Sequence, residues 1–268
     1  MTPRLIATDL DGTLLRSDGS VADRTVRAFR SAEDAGVVVV VATGRPPRWM
    51  HPVAEALGHT GLAVCANGAV VVDLHSEQVV EVNPLDRSVV AKVAEVVRAA
   101  VPGVQFAVET PDRGFGQEPG YDTHPGDVRH NPWIAPIDDL ATDDVIKLLI
   151  QHPEMGPDDL LAMAREVAGE LAELTHSSTN GLLEVSATGI TKASTLAGIA
   201  DRLGIAADEA VAFGDMPNDL PMLAWAGKGF AMANAHPDVL AAAEHFAPAN
   251  DDDGVAQVIE HLLHLTSK

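Results

Sequence analysis

Apolar residues along this chain fall into two textures. Near the start they form short dense runs separated by amphipathic stretches. Residues 4–8 read as a brief buried strand, and residues 23–35 carry the spacing of a helix that Gly36 ends. Residues 37–42 are five valines and an alanine. A β-branched run with no polar alternation suits a parallel strand covered on both faces. Residues 62–66 make another such strand before Asn67-Gly68, and residues 70–72 and 78–82 read as a hairpin. Strand–helix–strand order predicts a doubly wound sheet.

The pattern loosens from residue 83 to residue 187. Pro and Gly cluster between residues 111 and 136, helical spacing is visible over 87–100 and 157–174, and strands are expected over 145–151 and 182–186. The first texture then returns. A helix over 191–203 is followed by a strand over 209–213, a helix over 217–226 and a strand over 229–231. A helix over 237–243, a strand over 245–247 and a helix over 254–265 close the pattern. The expected fold is α/β, with a Rossmann-like doubly wound parallel-sheet core from residues 1–82 and 188–268. An α+β domain, residues 83–187, is expected as an insertion in it.

Composition narrows the function. Of 268 residues 46% are hydrophobic, enough for a substantial core, and the formal net charge is −21. That charge argues against nucleic acid, whose binding needs clustered Lys and Arg, and against an anionic membrane. An anionic small molecule would need a local positive site. The lone cysteine, Cys65, sits in an apolar run and reads as a small core residue. Asp9 and Asp11 stand where a signal peptide would be apolar, and residues 37–42 are too few to span a bilayer. A cytoplasmic protein is expected.

Four segments carry candidate chemistry, each at an expected strand end or helix start. The first is Asp9-Leu10-Asp11-Gly12-Thr13. Asp-x-Asp-Gly is also an ordinary turn, but two carboxylates at the end of a parallel strand stand where open α/β sheets bind ligands. The second is Thr43-Gly44-Arg45, a hydroxyl with backbone N–H groups that suit an anion. The third is Lys192, against type at a helix N-terminus that favours acids. The fourth is Gly214-Asp215-Met216-Pro217-Asn218-Asp219, more polar groups than a helix cap needs. Together they can handle a phosphoryl group on Mg2+. A Walker-type phosphate loop is absent from the sequence.

With these residues in this order, the chain resembles the haloacid dehalogenase superfamily, and within it the Cof-type phosphatases of subclass IIB. Asn67-Gly68-Ala69, Met232-Ala233-Asn234-Ala235 and Asn250-Asp251 extend the likeness. The resemblance implies a Mg2+-dependent phosphatase acting on a small phosphorylated metabolite, a sugar phosphate or related phosphomonoester. It assigns Asp9 as nucleophile and Asp11 as acid–base group. Thr43, Gly44 and Lys192 would bind phosphate. Asp9, Asp215 and the backbone carbonyl of Asp11 would bind the metal, with Asn218 and Asp219 behind them. Because the insertion lies between the second and third motifs, it would act as a cap that selects the leaving group. Arg45, Asn67 and Glu184 are candidate substrate contacts, as are His124, His130 and Trp133. A phosphotransferase or mutase, or a non-catalytic phospho-ligand-binding regulator, is the alternative.

Overall fold

The computed structural model describes residues 2–123, 132–176 and 181–263. The chain opens with β1 (Leu5–Thr8), α1 (Asp23–Asp34), β2 (Val38–Ala42), α2 (His51–Leu57), β3 (Leu62–Cys65), β4 (Val70–Asp73) and β5 (Gln78–Val82). Then come α3 (Arg87–Ala100), β6 (Gln105–Thr110), β7 (Gly114–Gln117), β8 (Trp133–Ile134), α4 (Ile137–Leu140), β9 (Lys147–Gln151), α5 (Pro157–Ala168), β10 (Glu173–Thr175) and β11 (Leu182–Ser186). The last part holds α6 (Lys192–Leu203), β12 (Ala210–Gly214), α7 (Leu220–Trp225), β13 (Lys228–Met232), α8 (Pro237–Ala242), β14 (His245–Ala247) and α9 (Gly254–Leu262).

The first and last parts share one sheet, ordered β14-β13-β12-β1-β2-β3-β4-β5. It is parallel from β14 to β3, and β4 and β5 add an antiparallel edge. The valine run explains itself here. Val39 and Val41 pack with Ile6, Phe213 and Phe29 of α1, while Val40 and Ala42 pack on the opposite side with Leu5, Leu196 and Met222. Successive side chains face opposite ways, so a strand with helices on both faces must be apolar throughout.

The middle of the chain forms a second sheet, ordered β10-β11-β9-β6-β7-β8 and antiparallel except between β7 and β8. One face lies under α3 and α5: Phe106, Val108, Leu148 and Ile150 pack against Val93, Val97, Leu160 and Ala164. The other face carries a smaller cluster of Ala107, Phe115, Tyr121 and Leu149. The fold is thus α/β, a doubly wound core with an α+β insertion.

Several elements differ from the sequence pattern. The helix expected over 157–174 ends at Ala168, because Gly169 turns the chain and Glu173–Thr175 pairs with β11. The Arg165 guanidinium donates to the Leu174 carbonyl across that turn. The helix expected over 217–226 begins as a 3-10 turn, Pro217–Asp219, before α7. Helix α2 and strands β6 and β7 had no predicted counterpart. Cys65 is buried, and burial pushes its thiol up to about 12, which makes it inert as a nucleophile.

Candidate active site

The site lies at the carboxyl ends of β1, β2 and β12. The Asp9 N–H donates to the Phe213 carbonyl at 2.9 Å, which continues the ladder one residue past β1. Residues Leu10–Leu14 then wind a single wide turn in which Gly12 takes φ 79°. A Cβ on Gly12 would stand 2.3 Å from Asp215 Oδ2, so only glycine lets this loop close on the end of β12. Thr13 Oγ1 donates to Asp215 Oδ1 at 2.7 Å.

Lys192 opens α6 behind a Thr191 cap whose hydroxyl accepts from the Ser194 N–H. Its ammonium is 1% exposed and donates to Asp9 Oδ1 at 2.5 Å and Asp219 Oδ1 at 2.7 Å. The second oxygen of Asp219 accepts from the N–H groups of Asp215 and Met216, so this carboxylate both folds the loop after β12 and holds the lysine. Asp9, Asp215 and Asp219 each bring a carboxylate oxygen within 4.8 Å of the others.

Electrostatics follow from this crowding. Burial, with Asp219 and Asp215 adding to it, holds the Asp9 carboxyl well above the usual carboxylate range despite Lys192. Burial and Asp219 push Asp215 up to about 7. Burial works against the charge on Lys192, but Asp219 and Asp9 outweigh it and hold the ammonium above its ordinary value. The result is a buried cluster with more carboxylates than cations, and its hard oxygen donors suit Mg2+.

Asp11 faces elsewhere. Its carboxylate is 54% exposed and takes both Arg45 Nε and Nη2, at 2.8 and 2.5 Å. The acidic cluster of Asp9, Asp215 and Asp219 therefore does not include the Asp11 side chain. The Thr43 hydroxyl accepts from the Arg45 N–H at 3.0 Å. Asn67 sits in a turn where Ala66 and Asn67 both have positive φ, 49° and 56°. Its amide links Glu184 Oε2 to Asn218 Nδ2, each at 3.1 Å.

Between the two sheets is a cavity of about 680 Å³ that opens onto Asp9, Asp11, Thr43 and Asn218. Of the sequence candidates, Gly44, Arg45 and Glu184 also line it. Trp133 is placed away from it, stacked against Gly116 with Arg113 over its ring at 4.0 Å. His124 and His130 lie outside the described residues. The cavity also exposes residues that the sequence pattern did not single out: Arg48, paired with Glu109, and Trp49, Tyr121 and Lys147. Lys147 had a readable signal, a single charge inside the apolar strand over 145–151. Arg45, Arg48 and Lys147 bring cations to the cavity, each paired with a carboxylate: Asp11, Glu109 and Glu184.

Comparison with known proteins agrees with this geometry. Residues 6–259 match the family of haloacid dehalogenase-like hydrolases. The chain is 31% identical to a 5-amino-6-(5-phospho-D-ribitylamino)uracil phosphatase of Bacillus subtilis, over 96% of this chain and 95% of that one. It is 29% identical to the pyridoxal phosphate phosphatase YbhA of Escherichia coli, over 98% of this chain and 100% of that one. Its fold matches that of SMU.1108c from Streptococcus mutans with a TM-score of 0.84 at 24% identity, over 98% and 99% of the two chains. With the match running through both halves of the core and the insertion between them, this chain belongs to the haloacid dehalogenase-like hydrolases.

Proposed function

We propose that the protein is a Mg2+-dependent phosphatase that cleaves a small phosphomonoester through an aspartyl-phosphate at Asp9. The observation that carries this reading is the buried Lys192 ammonium shared between Asp9 and Asp219, with Asp215 against them. Lys192 fixes the Asp9 carboxylate for attack and offsets charge on the phosphoryl oxygens. Asp9, Asp215 and the Asp11 carbonyl would hold Mg2+, which supplies further charge neutralisation when bound. Asn218 and Asp219 support them.

In the first step an Asp9 oxygen bonds to phosphorus and the bond to the leaving oxygen breaks. Asp11 gives that oxygen its proton. In the second step Asp11 takes a proton from water, whose oxygen attacks phosphorus and frees Asp9. The exposed position of Asp11 on the cavity wall suits this traffic. The Thr43 hydroxyl, with the backbone of Gly44, would bind phosphate.

Residues 83–187 act as the cap in this reading, and residues 1–82 and 188–268 as the catalytic core. Arg45 and Glu184 line the cavity at the border, where they would meet the ester, and Asn67 stands behind Glu184, bonded to it. A cavity of about 680 Å³ accepts a sugar phosphate or a molecule the size of the compounds for which the two relatives are named.

The test is hydrolysis of a panel of phosphate esters with Mg2+ and with chelator, by wild type and Asp9→Asn. Activity that needs metal and vanishes in the variant is expected. Equal activity in wild type and Asp9→Asn would sink the nucleophile assignment.

A further inference from the structure

We propose that Lys147 and Glu184, both from the second sheet, are positioning residues that complete the phosphate site of the first sheet. This rests on the phosphatase reading and adds to it. On that reading the cap selects the leaving group. The geometry points to a second task for these two side chains, which concerns the phosphoryl group that every substrate shares.

Both residues are 4% exposed, and they stand on neighbouring strands, β9 and β11. Lys147 Nζ donates to Glu184 Oε1 at 2.6 Å. Each then reaches out of its own sheet. Lys147 Nζ donates to the Gly44 carbonyl at 2.5 Å, and Glu184 Oε2 accepts from Asn67 Nδ2 at 3.1 Å.

The first reach fixes a peptide plane. The Gly44–Arg45 peptide has its carbonyl on Lys147 and its N–H on the Thr43 hydroxyl, at 3.0 Å. Rotating that peptide would break both bonds. While it is held, the Thr43 oxygen is occupied as an acceptor and its own hydrogen can be donated to a phosphoryl oxygen. Gly44 leaves no slack, since a Cβ there would lie 3.0 Å from Glu184 Oε1.

The second reach fixes two amides. With Asn67 Nδ2 committed to Glu184, Asn67 Oδ1 must accept from Asn218 Nδ2, at 3.1 Å. Asn218 then presents Oδ1, buried on the cavity wall and without a protein partner among the described residues. The Asn67 turn, strained by its positive φ, is also pinned in this way. A contact needed only to hold two layers together could be apolar at no loss, because buried ion pairs rarely outdo well-packed apolar groups. Here the pair orients Thr43, Asn67 and Asn218 at once, and only when the second sheet is seated. Cap closure and assembly of the phosphate site become one event.

The experiment compares wild type, Lys147→Met, Lys147→Arg, Glu184→Gln and the Met/Gln double variant, all full-length with Mg2+. It measures kcat and KM for esters with small and large leaving groups, and the binding of orthovanadate by inhibition and by thermal shift. Orthovanadate occupies a phosphate site without any leaving group. Lys147→Met is expected to lower kcat/KM about 10- to 100-fold, by the same factor for every ester, and to weaken orthovanadate in parallel. Lys147→Arg, which keeps the donor, recovers most of that affinity. The double variant is no worse than the poorer single variant, because the two residues act as a unit.

Losses that differ from ester to ester with unchanged orthovanadate binding would overturn the proposal, as would losses that multiply in the double variant. If Lys147→Met does not fold, Lys147→Arg and Glu184→Gln carry the same comparison. A wild type that hydrolyses no ester would end the phosphatase reading, while the orthovanadate shifts would still decide this one.

Discussion

The two sheets place their chemistry differently. In the first sheet it stands at the ends of strands: Asp9 after β1, Thr43 after β2, Asp215 after β12. In the second it stands on a face: Lys147, Leu149 and Gln151 alternate along β9 toward the cavity while Leu148 and Ile150 turn to the helices. The cause is coverage. A parallel sheet buried on both faces has room for polar groups only at its ends, whereas an antiparallel sheet with helices on one side keeps a face free. Strand ends, tied to backbone ladders, hold reacting groups rigidly. A free face can vary residue by residue without disturbing its core.

The largest effect expected is at the strand ends. Asp9→Asn should cut kcat by at least about 10³-fold on every ester alike. A loss confined to some esters would break the division, because the nucleophile would then be reading the leaving group. Next is Lys192→Met. It leaves Asp9 and Asp219 buried without their shared cation, so the fold should lose about 3–5 kcal/mol as well as activity. Chemical denaturation of the metal-free protein measures this, and an unchanged midpoint would show that the cluster rearranges freely.

What the sequence made legible follows the same line. The strand-end motifs could be read because each needs fixed residue types at a fixed spacing: a glycine against Asp215, a hydroxyl on Asp215, a lysine between Asp9 and Asp219. The buried strands of the core announced themselves by unbroken apolar runs. The second sheet was harder. In β6, residues Gln105–Thr110 alternate only weakly, and β7 contains Gly114 and Gly116, which read as loop. Gly116 is there because Trp133 lies where its side chain would be, a contact between distant segments that no local pattern records. Arg48 and Glu109, paired across 61 residues, were hidden for the same reason. The orientation of Asp11 toward Arg45, away from the acidic cluster, is also tertiary.

A third effect separates the sheets by pH. Asp215 is held at about 7, against 3.8 for an unburied aspartate, and Asp9 is raised as well. Raised carboxyl groups bind more protons folded than unfolded, so the contribution of Asp215 is complete below pH 4 and is lost as pH rises through 7. Metal-free protein should therefore lose about 4 kcal/mol from Asp215 across that window. Mg2+, which favours the ionised carboxylates, should raise the melting temperature more at pH 8 than at pH 5. Asp215→Asn should flatten both trends. A Mg2+ shift that is equal at the two pH values would place the metal away from this cluster.

The smallest effect is the one that most sharpens the comparison. Leu182 stands on the cavity wall at the start of β11, on the same face as Glu184 and two residues from it. It is partly buried, so its truncation takes little from the core. Leu182→Ala enlarges the leaving-group end of the cavity and touches neither the Gly44 peptide nor the Asn67 amide. Even one methylene group of pocket is worth about 1–3 kcal/mol of discrimination. The ratio of kcat/KM for a bulky ester to that for a small one should rise about tenfold, while orthovanadate binding stays within about twofold. Lys147→Met is expected to do the opposite: hold the ratio and shift orthovanadate. Neighbouring positions on one sheet face would then carry separable tasks, selection by Leu182 and assembly of the phosphate site by Lys147 and Glu184. If both variants move the ratio and neither moves orthovanadate, the whole face reads the leaving group, and the phosphate site is complete in the first sheet alone.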